Sequence, residues 1–172
     1  MSASKVVLAA VAAVATVAAV GFATLYFTSD SNEEAAPVPE CQDRSYGHIA
    51  SLTAEGDGYR LRFDPAWFTS GVTANEAAAE DGKVAPGEPV PNDNYRIEEG
   101  HRLLTYLVPS DAKVTVLTNN GSGILSTPVT VSELAGLVAG EKPVELYEPL
   151  DTGVWISVHV DTACTIDQQY LP

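Results

Sequence analysis

The chain has 172 residues, enough for one folded domain with appendages, and its 45% hydrophobic and 19% charged content is that of an ordinary globular protein. Its formal net charge is −14. That charge repels nucleic-acid phosphates and anionic lipid headgroups, which excludes nucleic acid as an expected partner.

Val6 to Phe27 carries no charge and is 22 residues long. As a helix it spans about 33 Å, enough for a bilayer core of about 30 Å. Lys5 precedes it, whereas Asp30, Glu33 and Glu34 follow it. This asymmetry predicts a single-pass anchor at the cell membrane, with the N-terminus cytoplasmic and the rest outside. Residues 1–27 are therefore expected to be a membrane anchor or uncleaved signal segment. Cleavage and secretion is the alternative, with Gly21-Phe22-Ala23 as a small-x-small site. Residues 28–40 (TSDSNEEAAPVPE) are acidic and Pro-containing, which predicts a disordered spacer.

Residues 41–172 are expected to form an extracytoplasmic β domain. Its only cysteines are Cys41 and Cys164, both on the side where disulfides persist. Their pairing predicts that the start and end of the domain are neighbours, with Cα atoms within about 7 Å. Tyr46 to Ala54 reads as a first strand, and Glu55-Gly56-Asp57-Gly58 as a turn. Tyr59, Leu61 and Phe63 then alternate with Arg60, Arg62 and Asp64, which gives a hairpin. Asp64-Pro65 is expected to open an irregular region. Thr73 to Asp81 reads as a helix with Thr73 as cap and Glu76 completing a capping box. Pro86, Pro89 and Pro91 make a loop.

Leu103 to Val108 and Lys113 to Leu117 read as strands around a turn at Pro109-Ser110-Asp111-Ala112. Asn119 to Gly123 is a turn, and Ser132 to Ala139 a second helix capped by Ser132. Trp155 to Val160 and Cys164 to Tyr170 complete a hairpin around Asp161-Thr162. In it Ile156, Val158 and Val160 share the core face, and Trp155, Ser157 and His159 the other. The fold class is thus mainly β, with α+β as a variant: a small OB-like β-barrel or sandwich of about six strands with two short helices, preceded by a transmembrane helix.

No nucleophile elbow, phosphate loop or metal-ligand spacing is present, and His48, His101 and His159 are not spaced as ligands on one element. The candidate binding residues are Asn92, Asp93 and Tyr95, in the turn-forming run Pro91-Asn92-Asp93-Asn94-Tyr95, and Trp155 and His159 on the non-core strand face. Phe63-Asp64, Ala78-Ala79-Glu80-Asp81-Gly82, Pro91-Asn92-Asp93 with Tyr95, and the ending Gln169-Tyr170-Leu171-Pro172 resemble a group of uncharacterised exported actinobacterial proteins across about residues 46–172. The resemblance implies no catalytic residues. Members of the group often carry Asn soon after the central Tyr, where this chain has Glu98-Glu99.

The expectation for function is a tethered, non-enzymatic domain without cofactor or metal, whose partner is a cell-envelope protein or a wall component. Two alternatives stand beside it. One is calcium binding through the acidic stretch Glu76, Glu80, Asp81, Glu88, Asp93, Glu98 and Glu99, whose oxygen donors suit that ion. The other is a wall-polymer hydrolase using two carboxylates among Asp64, Asp93 and Glu98.

Overall fold

Alternating side chains carry β1 (Asp43–Glu55) and β2 (Gly58–Ser70) well past the span expected from the sequence. The computed structural model describes residues 41–98, 100 and 102–172. The expected anchor (1–27) and spacer (28–40) lie outside the described residues, as do Glu99 and His101. Among the described residues no helix is long and apolar enough to cross a membrane.

After β2 come α1 (Gly71–Glu80), a 3-10 turn at Pro91–Asp93, β3 (Asn94–Ile97), β4 (Leu104–Pro109), β5 (Lys113–Asn119), β6 (Ile124–Val129), α2 (Val131–Val138), β7 (Val154–His159) and β8 (Thr162–Gln168). β1, β2, β4, β8 and β7 close into a five-stranded barrel of the expected OB-like kind. Four of the five contacts in this ring are antiparallel. The fifth is parallel, at Leu107↔Thr162, where the Leu107 N–H donates to the Asp161 carbonyl at 2.8 Å. β5 continues along the same edge of β8, again parallel, and β6 pairs on the far side of β5. Ring closure satisfies strand edges that an open sheet would expose.

The inward faces build one core from Leu61, Phe63, Val108, Val116, Ile156 and Ile166. Val131 and Leu134 of α2 enter the same core, and the helix packs on β1 and β5. α2 is capped by Thr130, two residues before the expected cap Ser132. The Glu133 N–H donates to Thr130 Oγ1 at 3.1 Å and the Thr130 N–H to Glu133 Oε2 at 2.7 Å, a reciprocal cap. The Thr130 N–H and the Thr130 hydroxyl both donate to the Glu133 carboxylate and hold it below its ordinary pKa. α1 starts at Gly71 rather than Thr73, and its cap position, Ser70, makes no side-chain capping bond.

The structure corrects three further expectations. β2 runs through Pro65 to Ser70, because Gly47 stands opposite Pro65. A Cβ on Gly47 would collide with the Asp64 carbonyl and the Phe63 ring, so only glycine lets the strands pass this closely. β3 and β6 are strands that the turn-rich composition around them conceals. Val160 does not reach the core: it sits at the two-residue turn between β7 and β8, 81% exposed, at φ 58°.

The disulfide joins Cys41 to Cys164, with Cα atoms 6.3 Å apart and a separation of 123 positions in sequence. β7 and β8 slip register at Ser157/Val158, so Cys164 is the extra residue of a bulge. A bulge re-aims its side chain, and here it meets the segment leading into β1.

Candidate functional site

β1 and β2 separate at one point. Tyr46↔Ala66 is their last pair. Beyond it Asp43–Ser45 stay with β7, whereas Trp67–Ser70 pair with β3. The resulting fork is a cleft of about 370 Å³ lined by Arg44, Ser45, Tyr46, Trp67, Phe68 and Trp155, together with Pro65 and Ala66. Both tryptophans of the chain therefore border one cleft, Trp155 on its floor and Trp67, which alternates with Phe68 along β2, at its rim.

The floor is an aromatic cluster on the outside of the barrel. Tyr46 is only 3% exposed, and its ring lies 5.1 Å from Phe68 and 5.3 Å from Trp155, both tilted. Phe68 and Trp155 meet edge to face at 6.1 Å. The Arg44 guanidinium lies over the Trp155 ring, 4.6 Å from its centre, in cation–π contact. Trp155 Nε1–H donates to Gln169 Oε1 at 2.7 Å, which fixes the indole plane.

The Tyr46 hydroxyl donates to the Thr152 carbonyl at 2.5 Å. Arg96 Nη1 donates to the carbonyls of Asp151 and Thr152 at 3.2 and 3.4 Å. Burial raises the Tyr46 pKa above 10.0, opposed by the nearby Arg96 guanidinium. Trp67 differs from this fixed floor. It is 57% exposed at the rim, opposite Ile97 of β3.

A second, larger groove of about 1000 Å³ lies further along β1, between His48–Ala50 and residues 137–151. Ile49, Leu137, Val144 and Leu146 give it an apolar floor; Glu141, Glu145, Glu148 and Asp151 give it an acidic rim. His48 Nε2 lies 2.9 Å from Glu98 Oε1 at its edge.

The residues singled out from the sequence do not converge. Trp155 is in the fork. Tyr95 pairs across from Thr69, one step out of phase with Phe68, so it faces the opposite side of the β2–β3 ribbon. There it packs with Val84 on Ala74, Ala78 and Val90, and its hydroxyl donates to Asp81 Oδ2 at 2.8 Å. Asn92 and Asp93 take φ of 59° and 57°, a region these two residue types tolerate. Asn92 Nδ2 donates to the Pro172 carbonyl. His159 is exposed at the far end of β7. Asp64 stands across from His48, Glu98 bonds to that same histidine, and Asp93 lies in the 3-10 turn; none of the three lines the fork or the groove. Among the described residues no three His, Cys, Asp or Glu side chains gather where they could hold a metal ion.

Sequence reasoning missed Arg44, Tyr46, Trp67 and Phe68. The signal that could have found the last two is the alternation of Ala66 and Phe68 against Trp67 and Thr69 past Pro65. No protein-family model, curated protein or solved structure matches the chain.

Proposed function

We propose that the chain is a membrane-tethered extracytoplasmic domain that binds a cell-envelope glycan at the fork, without enzymatic turnover. The observation that carries the reading is the pair of tryptophans bordering one cleft, one beneath the Arg44 guanidinium and the other exposed at the rim. A large exposed aromatic beside a concave aromatic floor marks a binding surface. The C–H face of a sugar packs on an indole, while its hydroxyls reach Arg44 and Ser45 at the margin. OB-type barrels accommodate oligonucleotides and oligosaccharides, and the net charge of −14 favours the second by analogy. The tether rests on Val6–Phe27 with Lys5 before it, and the Cys41–Cys164 bond belongs to an oxidising compartment. A basic protein segment is the second reading, favoured by the acidic rim and apolar floor of the groove.

Titration of the full-length chain with soluble cell-wall glycan fragments, followed by tryptophan fluorescence, tests the first reading. A saturable change is expected, weakened at least tenfold by Trp67→Ala with the melting temperature unmoved. No saturable change with any wall fragment, or an unaltered response in Trp67→Ala, overturns it.

A further inference from the structure

We propose that β6 is a self-pairing edge through which two copies of this chain dimerise. β6 pairs with β5 on one side only, and among the described residues its opposite edge meets no other strand.

Which backbone groups that edge offers follows from β5. The Leu117 N–H donates to Gln168 Oε1, and its carbonyl accepts from the Tyr147 N–H. Leu117 therefore points its backbone away from β6. In an antiparallel ladder the residue opposite it, Ser126, does the same in the other direction. Ile124 and Pro128, two positions to either side, follow suit. The free edge thus presents the N–H and C=O of Ile124 and Ser126 and the carbonyl of Pro128. Pro128 fits the strand because no bond to β5 needs its missing N–H.

A two-fold axis at Leu125 places Ile124 of each copy opposite Ser126 of the other. Each such pair exchanges both its N–H and C=O groups. Leu125, 45% exposed, then meets its own counterpart at the close, non-hydrogen-bonded spacing. Pro128 falls outside the paired segment and ends it.

The occupant is identified by charge. From Val114 to Ser132 the chain carries no charged residue, the longest such run beyond the N-terminal apolar stretch. Edge strands are ordinarily guarded by charged side chains or proline; this one has no charge, and its proline, Pro128, lies near its end and leaves Ile124 to Ser126 open. A cationic partner drawn to a body of net charge −14 would find no carboxylate to pair with along this edge and is better served elsewhere on the surface. A second copy, equally anionic, needs a contact free of carboxylates. With the charges set back from the seam, salt screens the remaining repulsion.

The test is the mass of the full-length chain in detergent micelles by light scattering, compared with Leu125→Glu and Ser126→Pro. Leu125→Glu sets two carboxylates against each other at the axis. Ser126→Pro removes an N–H that β5 does not use. The expected result is a dimer that tightens as salt rises, with both variants dissociating at least tenfold more readily at unchanged melting temperature. A monomeric wild-type chain, variants that dimerise as well as it does, or a dimer that loosens as salt rises overturns the proposal.

Discussion

The barrel and the segment inserted between β2 and β4 are stabilised on different scales. The barrel interior closes over Leu61, Phe63, Val108, Ile156 and Ile166, all of them at most 1% exposed. The insert has its own small cluster, in which Ala74, Ala78 and Val90 are the buried members and Val84 and Tyr95 partly cover them. Alanine methyls remove little apolar area from water, so this cluster contributes far less than the barrel core. What fixes the insert is attachment. β3 pairs with the extension of β2, Arg96 Nη1 donates to the carbonyls of Asp151 and Thr152, and Asn92 bonds the chain end at Pro172. The fork lies on this boundary: Tyr46 and Trp155 stand on the barrel, Trp67 and Phe68 on the ribbon that leads into the insert. One wall of the cleft is therefore rigid, and the other is as steady as the weaker unit allows.

The largest effect that tests this contrast is in the barrel. Phe63→Ala removes a fully buried ring between β1, β4 and the core, and is expected to cost about 3–5 kcal/mol, seen as a lower denaturant midpoint for the whole described domain. Val90→Ala in the same experiment should cost clearly less. Equal losses would mean that the insert is part of the main core and that the contrast is wrong.

Phe63 also shows what the sequence makes legible. Its alternation with Tyr59 and Leu61 is local, and a period of two needs only the neighbouring residues to be recognised. The first hairpin, the last hairpin and the cysteine pairing were readable for the same reason: each depends on nearby pattern or on simple arithmetic. β2 beyond Pro65 was not, because proline normally ends a strand and the compensation, Gly47, lies on another strand. β6 was hidden by the turn residues and proline of Gly121 to Pro128. The parallel contact of β4 with β8 joins segments far apart in sequence, and no local periodicity reports it. Of the candidate site, Trp155 was legible as a tryptophan on a non-core face. Its companions Trp67 and Phe68 lay in the stretch that proline appeared to close.

A smaller loss is expected where the barrel supports the fork. Gly153 takes φ 100° and ψ 166°, a conformation open almost only to glycine. A Cβ there would also land on the Tyr46 hydroxyl. Gly153→Ala should cost about 1–3 kcal/mol from backbone strain and should push the Tyr46 ring toward Phe68 and Trp155. Thermal melting reads the first effect, and a shifted tryptophan emission maximum reads the second. A melting loss with an unchanged emission maximum would mean that the cleft floor does not depend on this support.

The smallest effect separates the two regions by cause rather than by size. Tyr46 and Tyr106 on the barrel and Tyr95 on the insert all have pKa values above 10.0. For Tyr46 and Tyr106 the main cause is burial, which penalises the phenolate. For Tyr95 it is the hydrogen bond its hydroxyl donates to the Asp81 carboxylate. A phenol raised in the folded state favours folding below its unfolded value near 10, and that contribution is lost as pH rises through the folded value. Asp81→Asn removes the charge facing Tyr95 and leaves both barrel tyrosines untouched. Phenolate absorbance followed through an alkaline titration should then show one tyrosine ionising earlier, while the other tyrosines keep their places. An unchanged titration would mean that burial, not Asp81, governs Tyr95. The Tyr95 ring would then be enclosed much as the barrel tyrosines are, and the insert would be a more solid wall for the fork than its alanine-rich cluster implies.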